Sequence, residues 1–520
     1  MVVDARDRLL VSFAGFELSP EAAEAIVRRA SGVTLYRHLN VGSPAAVRAL
    51  TESLQAAAAR LGFGPLLIGA DHETGQLHAM GEGATPFPGS MALGAVGDDA
   101  LAERVGAAIG AELRAMGVTV VFAPDCDLAT NPRNPVVGIR AFGDDPAVVG
   151  RMVAAQVRGL QSAGVAATVK HLPGHGEPGG DSHLGLPVVE VSADELRARE
   201  LVPFRAGIAA GARLAMAGHL GVPALTGERD VPATLSRAVV TDLLRGELGF
   251  DGVAVSDALD MGGVQGGAGA GPDVLAALTA GTDLLLCGPD PEAQVRVEAA
   301  LAAAVTRLDP AAAAASSERI DALRAWIAGF RTPPVDVVGS AAHRAIADEV
   351  ARRSTTRIRD RERLLGRPVA GDARILVIEP EPVDLTPADT TSWLRPAGLA
   401  DAIRARGRHV EGIVSRDPIP AADVAAIRDR ASAADLVVFG TVDALGRPSL
   451  VELGRALAAA GPPVVAVALR APWDADVLPE LGTVIATYGI QPPQLAAAAT
   501  VIVDGAGLSG RLPVRVASAS

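Results

Sequence analysis

Lysine is all but missing from this 520-residue chain: of its 47 Lys and Arg residues only Lys170 is a lysine. A skew of that kind lets arginine replace lysine wherever the two are interchangeable. They are not interchangeable where a compact ammonium with three rotatable donors is needed instead of a planar fork. Lys170 is thereby marked as a constrained position, against the alternative of chance survival on a solvated face. Positive charge is short overall, since 60 acids leave a formal net charge of -13. A nucleic-acid partner is not expected, because such proteins gather positive charge to displace counterions. Two cysteines, Cys126 and Cys287, stand far apart and without metal-ligand spacing, which argues against a disulfide framework and a thiolate metal centre. Apolar runs as long as a bilayer span are lacking. The start, Met1 to Asp4 followed by charged residues and the short run Leu9 to Phe13, has neither the basic lead nor the long apolar stretch of a signal peptide. These absences predict a cytoplasmic protein with a small-molecule ligand, no nucleic-acid partner and no membrane partner.

The apolar fraction of 49% supplies large cores, and the length exceeds one ordinary domain. In the first part of the chain eight short strand-like runs occur: Leu9 to Phe13, Val33 to Tyr36, Leu66 to Ala70, Val118 to Ala123, Ala167 to Val169, Leu214 to Ala217, Val253 to Val255 and Leu284 to Leu286. Helical patterns at 20–30, 44–61, 101–116, 193–210 and 238–248 separate most of them, which is βα alternation. A doubly wound sheet would alternate similarly. The polar residues favour a (β/α)8 barrel, because five runs end on groups able to bind or react: Asp71, then Asp125 and Asp127, then Lys170 and His171, then His219, then Asp257. In a barrel those ends share one rim, where barrel enzymes place their chemistry.

Residues 1–333 are therefore expected to form a catalytic (β/α)8 barrel, 334–354 a linker with a connecting helix, and 355–520 a smaller three-layer α/β sandwich. The last has strands at 375–378, 436–439, 464–468 and 484–486. The Arg-rich piece 352–367 alternates in sign and reads as a solvated face. Of the three tryptophans, Trp326, Trp393 and Trp473, none falls in a barrel loop, so no Trp platform for a long glycan is expected.

Two segments carry the chemistry. Lys170 to Pro187, KHLPGHGEPGGDSHLGLP, follows a strand and admits three readings. His171, His175, Asp181 and His183 could be metal ligands, but no zinc spacing is present, and no metal or cofactor is expected. Asp181 and His183, two residues apart, could form an acid-base unit in which the carboxylate fixes the imidazole tautomer. A structural turn is the bland reading. The second segment, GFDGVAVSDALDMGG, ends a strand at Asp257, a carboxylate suited to nucleophilic attack on an anomeric carbon, or to capping a helix.

These two segments, with NPVVGIRAFGDDP, PATLS and the late GLSGRLPVRV, resemble glycoside hydrolase family 3, in its branch of β-N-acetylglucosaminidases. The resemblance runs over nearly the whole chain, and the Asp-Ser-His end of the long loop marks the branch. It implies Asp257 as nucleophile, His183 as acid/base with Asp181 as its partner, and Asp71, Arg140, Lys170 and His171 as grips on the sugar hydroxyls. The implied activity is retaining exo-hydrolysis of terminal N-acetylglucosamine from small glycosides, cell-wall fragments among them. A β-glucosidase or an N-acetylglucosaminide phosphorylase of the same family is the alternative. Phosphorolysis would draw on positive potential from Lys170 and Arg140, and a silent sugar-binding protein is a further reading. One stretch departs from the family: Asp-Gln-Glu-Gly-Gly-Arg is usual, whereas Asp71, His72, Glu73, Thr74, Gly75 and Gln76 stand here.

Overall fold

The computed structural model describes residues 5–264, 270–393 and 398–519. Met1 to Asp4 and the side chain of Trp393 lie outside the described residues. All eight expected barrel strands form: β1 Leu9–Val11, β2 Gly32–Leu35, β3 Leu67–Ala70, β4 Val120–Val121, β5 Ala166–Leu172, β6 Leu214–Ala217, β7 Val253–Ser256 and β8 Leu285–Leu286. Neighbours pair in parallel in chain order, β8 pairs with β1, and a bridge between Val255 and Leu284 closes the ring. The strands are short and buried on both faces, which is why they read as apolar runs without alternation. β7 gains one residue over expectation and β5 gains four, so that Lys170 and His171 belong to the strand and do not follow it.

Inside the barrel, Leu10, Leu67, Val120, Leu214 and Val253 pack with Ile320, Leu323 and Ile327. Those three come from helix Pro310–Ala328, which plugs the N-terminal mouth with an apolar face and leaves the opposite mouth to polar residues. Each such side chain contributes roughly 1.5–3 kcal/mol by leaving water. Outer helices include Pro20–Val27, Pro44–Arg60, Asp99–Ala115, Pro146–Ser162 and Ala238–Glu247. The first two have serine N-caps whose hydroxyls accept amide hydrogen bonds, with proline in the first turn. The expected helix over 193–210 is broken in two, Ala193–Ala198 and Leu201–Ala209.

Helix Ala341–Ser354 leads from the barrel to a second sheet with β9 Thr356–Asp360, β10 Arg374–Pro380, β11 His409–Ser415, β12 Leu436–Thr441, β13 Val464–Ala468 and β14 Thr483–Ala486. Its order is β9-β14-β13-β12-β10-β11, parallel except for β9 against β14. Strands β9 and β11 were not foreseen. The reading of 352–367 as a solvated face fails at Arg359, which is fully buried in β9 and donates to the Leu478 and Leu481 carbonyls. Alternating charge misled there because a guanidinium is buried readily once backbone carbonyls take its donors. Among the described residues no helix is long and apolar enough to cross a membrane.

Candidate active site

A cavity of about 810 Å³ opens at the C-terminal mouth of the barrel, lined by Asp71, Arg140, Lys170, His171, His183 and Asp257 among others. Six of the seven expected site residues thus share one space, and the seventh, Asp181, stands directly behind His183.

At its floor lies a cluster of charges. Lys170 Nζ sits 2.8 Å from Asp71 Oδ1 and 2.6 Å from Glu73 Oε1. Arg140 grips Glu73 with Nε and Nη2, both at 2.8 Å, and donates through Nη1 to the Val136 carbonyl. Burial alone would discharge all three groups. Instead the paired cations hold the Glu73 carboxyl well below its usual range, and the carboxylates hold Lys170 and Arg140 above theirs. The expectation of positive potential from Lys170 and Arg140 is thereby corrected, since Asp71 and Glu73 match both charges. Glu73 was passed over at the sequence level. The signal was available: two cations expected in one pocket require anions.

Behind this layer, His171 Nδ1–H donates to Asp127 Oδ2 at 2.7 Å, so Nε2 carries the lone pair and meets Arg140 Nη2 at 3.4 Å. Burial, with Arg140 nearby, lowers the His171 imidazole to about 4, which keeps it neutral at pH 7. Asp127 also accepts from the His175 amide at 2.6 Å. Burial, assisted by the Asp127 anion, pushes Asp125 well above the carboxylate range.

The metal set considered from sequence does not converge. His175 Nε2 pairs with Ser182 Oγ at 3.0 Å, and His183 Nδ1 pairs with Asp181 Oδ1 at 2.7 Å. Asp125, Asp127 and His171 do bring ligand-type atoms within 4.8 Å of one another. However, Asp127 and His171 are engaged with each other, and the Arg140 guanidinium lies 3.8 Å from Asp125, so this cluster already has its cation.

His183 and Asp257, expected as acid/base and nucleophile, line the same cavity from two different loops. Asp181 Oδ1 accepts from both the amide and Nδ1 of His183, combining the turn and the acid-base readings, and Nε2 is left for the cavity. The same interactions hold the Asp181 carboxyl below its ordinary range although burial opposes this. Opposite, Asp257 directly follows β7 and accepts from the Ala258 amide at 2.8 Å. The next helix, Ala270–Ala280, starts well beyond it, so Asp257 is not that helix's cap. Burial disfavours its ionisation, but the imidazoles of His219, His171 and His183 bring its carboxyl below the usual range. His219 donates through Nε2 to the Ala258 carbonyl at 2.9 Å, while its Nδ1 meets the Thr234 hydroxyl of the PATLS segment at 2.9 Å.

One wall comes from the second domain. Asp384, Thr386 and Ser392 line the cavity, in a segment joined to the barrel by Thr390, whose amide donates to the Gln76 carbonyl at 2.8 Å. His78 returns an amide bond to the Thr390 hydroxyl. Of the three residues that depart from the family pattern, Gln76 docks against the second domain, whereas His72 accepts from the Met80 amide and Thr74 donates to the Pro88 carbonyl, both within the barrel. Trp326 lies on the plugging helix and Trp473 in the second domain, where its indole donates to the Arg515 carbonyl.

Residues 9–323 match the Glycosyl hydrolase family 3 N terminal domain. The Beta-hexosaminidase of Stenotrophomonas maltophilia (strain K279a) is 40% identical over 290 residues, which cover 54% of this chain and 84% of that protein. Beta-hexosaminidase A of Pseudoalteromonas piscicida is 40% identical over 263 residues, 48% of this chain and 44% of that relative, so less than half of its length is matched. Among solved structures, a glycoside hydrolase family 3 β-N-acetylglucosaminidase from Paenibacillus sp. str. FPU-7 superposes with a TM-score of 0.92 at 33% identity, covering 99% of both chains. A barrel with this rim, matched in this way, places the chain in glycosyl hydrolase family 3.

Proposed function

We propose that this chain is a retaining exo-β-N-acetylglucosaminidase that releases terminal N-acetylglucosamine from small glycosides, cell-wall fragments being the natural class. The observation that carries this reading is the Asp181–His183 pair on the same cavity as Asp257. The hexosaminidase relatives and the β-N-acetylglucosaminidase neighbour support it.

In the first step Asp257 attacks the anomeric carbon as the bond to the leaving oxygen breaks, and that oxygen takes the proton from His183 Nε2. Asp181, bonded at Nδ1, stabilises the imidazolium before the transfer and fixes the tautomer after it. In the second step His183 Nε2 takes a proton from water, the water oxygen bonds to the anomeric carbon, and the Asp257 carboxylate leaves. Two inversions give net retention. Asp71, oriented by Lys170, accepts sugar hydroxyls, while Arg140 and the neutral His171 line the same face.

Pockets for drug-sized ligands measure about 300–1,000 Å³, and a cavity near 810 Å³ has room for a sugar and its aglycone. Water is the acceptor favoured by the charges: with Asp257 esterified in the glycosyl-enzyme, Asp71, Glu73 and Asp181 still offset Lys170 and Arg140, leaving no net attraction for phosphate. Both cysteines are free and buried, in keeping with a reducing cytoplasm, which cell fractionation checks. A panel of 4-nitrophenyl β-glycosides, assayed with and without phosphate, tests the reading. The N-acetylglucosaminide should react fastest and yield free sugar at any phosphate concentration. Faster turnover of the glucoside overturns the N-acetyl preference, and sugar 1-phosphate overturns hydrolysis.

A further inference from the structure

The loop bearing His183 has little to hold its tip in place by burial. Its root is clamped by side chains from the β4–β5 connection: Asn134 Nδ2 donates to the carbonyls of His175 and Pro178, and Asn131 Nδ2 to that of Glu177. Farther along, Gly179 and Gly180 are exposed, and Leu184, next to His183, is 81% exposed. Among the described residues, the tip therefore has no buried apolar side chain of its own to fix the imidazole over the cavity. What reaches the tip is a set of hydrogen bonds. One is the His175–Ser182 contact beneath it. Two more come from across the cavity, where the Gly262 amide donates to the His183 carbonyl at 3.1 Å and the Gly263 amide to the Ser182 carbonyl at 2.9 Å.

Those two glycines stand five and six residues after Asp257, on the loop that carries the carboxylate. Neither adopts a left-handed backbone, so glycine is required here for space. A Cβ on Gly262 would meet the His183 carbonyl oxygen at 2.9 Å and the Leu184 carbonyl carbon at 3.0 Å, and one on Gly263 would meet His219 Cβ at 2.8 Å and the Ser182 oxygen at 2.9 Å. Backbone lies on backbone at Gly262, where no flexible side chain can yield.

We propose that Gly262 and Gly263 are positioning residues that clasp the acid/base loop to the nucleophile loop, so that one segment sets the place of both Asp257 and His183 around the scissile bond. The inference rests on the roles proposed above for Asp257 and His183. A side chain at Gly262 would push the His183 backbone outward by a few tenths of an ångström and leave Asp257, five residues upstream, where it is. Proton donation, which depends on a short donor–oxygen approach, would then suffer while nucleophilic attack continued.

The experiment compares Gly262→Ala with the unaltered enzyme on a series of aryl N-acetylglucosaminides of graded leaving-group pKa. Trapping with an activated 2-deoxy-2-fluoro glycosyl donor is followed in parallel, and Gly263→Ala serves as a second variant. The expected result is a loss of tenfold or more in kcat/KM on the poorest leaving groups, less than threefold on the most activated ones, and trapping at Asp257 at an undiminished rate. A loss equal across the series, or no loss in either folded variant, overturns the clasp. His183→Ala separates the two levels of argument. If it does not steepen the leaving-group dependence, the role of His183 is wrong; if it does and Gly262→Ala does not, only the clasp is refuted.

Discussion

Replacing Glu73 by glutamine removes one negative charge and almost no volume from the centre of the charge cluster. In the intact protein its two oxygens take two bonds from Arg140 and one from Lys170, all between 2.6 and 2.8 Å. Both cations are buried, and in the variant they keep Asp71 and the more distant Asp125 and Asp127 as neighbouring carboxyl groups. Removing one partner of a buried ion pair costs about 3–5 kcal/mol. Asp125 limits the loss, because a carboxyl held neutral by burial and neighbouring anions ionises more readily once one of those anions is gone. Taking about 2.1 cal/mol/K of unfolding entropy per residue over residues 9–323, each kcal/mol corresponds to about 1.5 °C, so Glu73→Gln should lower Tm by about 4–8 °C at pH 7. The pH dependence is equally specific. The folded carboxyl titrates below its unfolded value of about 4.3. Its contribution is therefore complete above that value and is lost as pH falls through the lower, folded one. Thermal melts should show a constant gap between the two proteins from pH 7 to pH 5.5 and a narrower one at pH 3.5. A variant that melts within 1 °C of the parent at pH 7, or a gap that widens on acidification, would refute this account of the cluster.

Asp257→Ala should abolish turnover, by on the order of 10⁴-fold or more, without shifting Tm by more than about 2 °C; near-parental rates in the folded variant would end the nucleophile assignment. Asp181→Ala should slow substrates with poor leaving groups by about 10²–10⁴-fold and activated aryl glycosides far less, and an equal effect on both would remove the pair from proton transfer. Lys170→Arg should lower kcat/KM by at least about tenfold, or 1.4 kcal/mol, because a planar fork cannot meet Asp71 and Glu73 from one point. An unchanged value would mean that the single lysine survived by chance. Thr74 has φ of 71°, where a β-branched residue costs about 1–3 kcal/mol, so Thr74→Gly, after the extra chain entropy of glycine, should stabilise by about 1 kcal/mol in denaturant melts.

The barrel was legible because its strands are buried on both faces and its reactive residues repeat at strand ends, two signals that need no tertiary knowledge. Lys170 and His171 were read as lying beyond β5 because Lys and His resemble loop residues, whereas in the fold their polar ends are satisfied by Asp71, Glu73 and Asp127 and the strand continues through them. The acids and imidazoles that stand behind the cavity-lining groups were harder to see. Asp127 and His219 stood out as strand-end groups, but their bonds to His171 and Ala258 depend on how neighbouring strands stagger. Least legible was the wall formed by Asp384, Thr386 and Ser392, more than 300 positions from Asp71, which no local pattern connects to the barrel.

That wall also engages the departing stretch at Gln76, two residues after Thr74. In an open parallel sheet, ligands settle beyond the carboxyl ends of the strands where the order reverses, and in the second domain this point lies between β10 and β12. The segment after β10 carries Ala388 and Thr390, and Val442 follows β12. Around this crevice Gly75 and Gln76 of the barrel pack with Val442, Leu469 and Arg470. Gln76 donates to the Ala388 carbonyl and accepts from Thr390, and Gln491 donates to the Gly75 carbonyl. The place where such a sheet would hold a small molecule is thus occupied by the hairpin that follows β3, formed by the antiparallel strands His72–Thr74 and Leu77–His78. Docking of this kind over-determines the backbone at residues 74–76 and so maintains a threonine in a conformation that suits glycine. In return the hairpin is held at the rim with Asp71 and Glu73 at its base, and the segment after β10 is drawn over the barrel mouth, where it walls the cavity that Asp257 and His183 share.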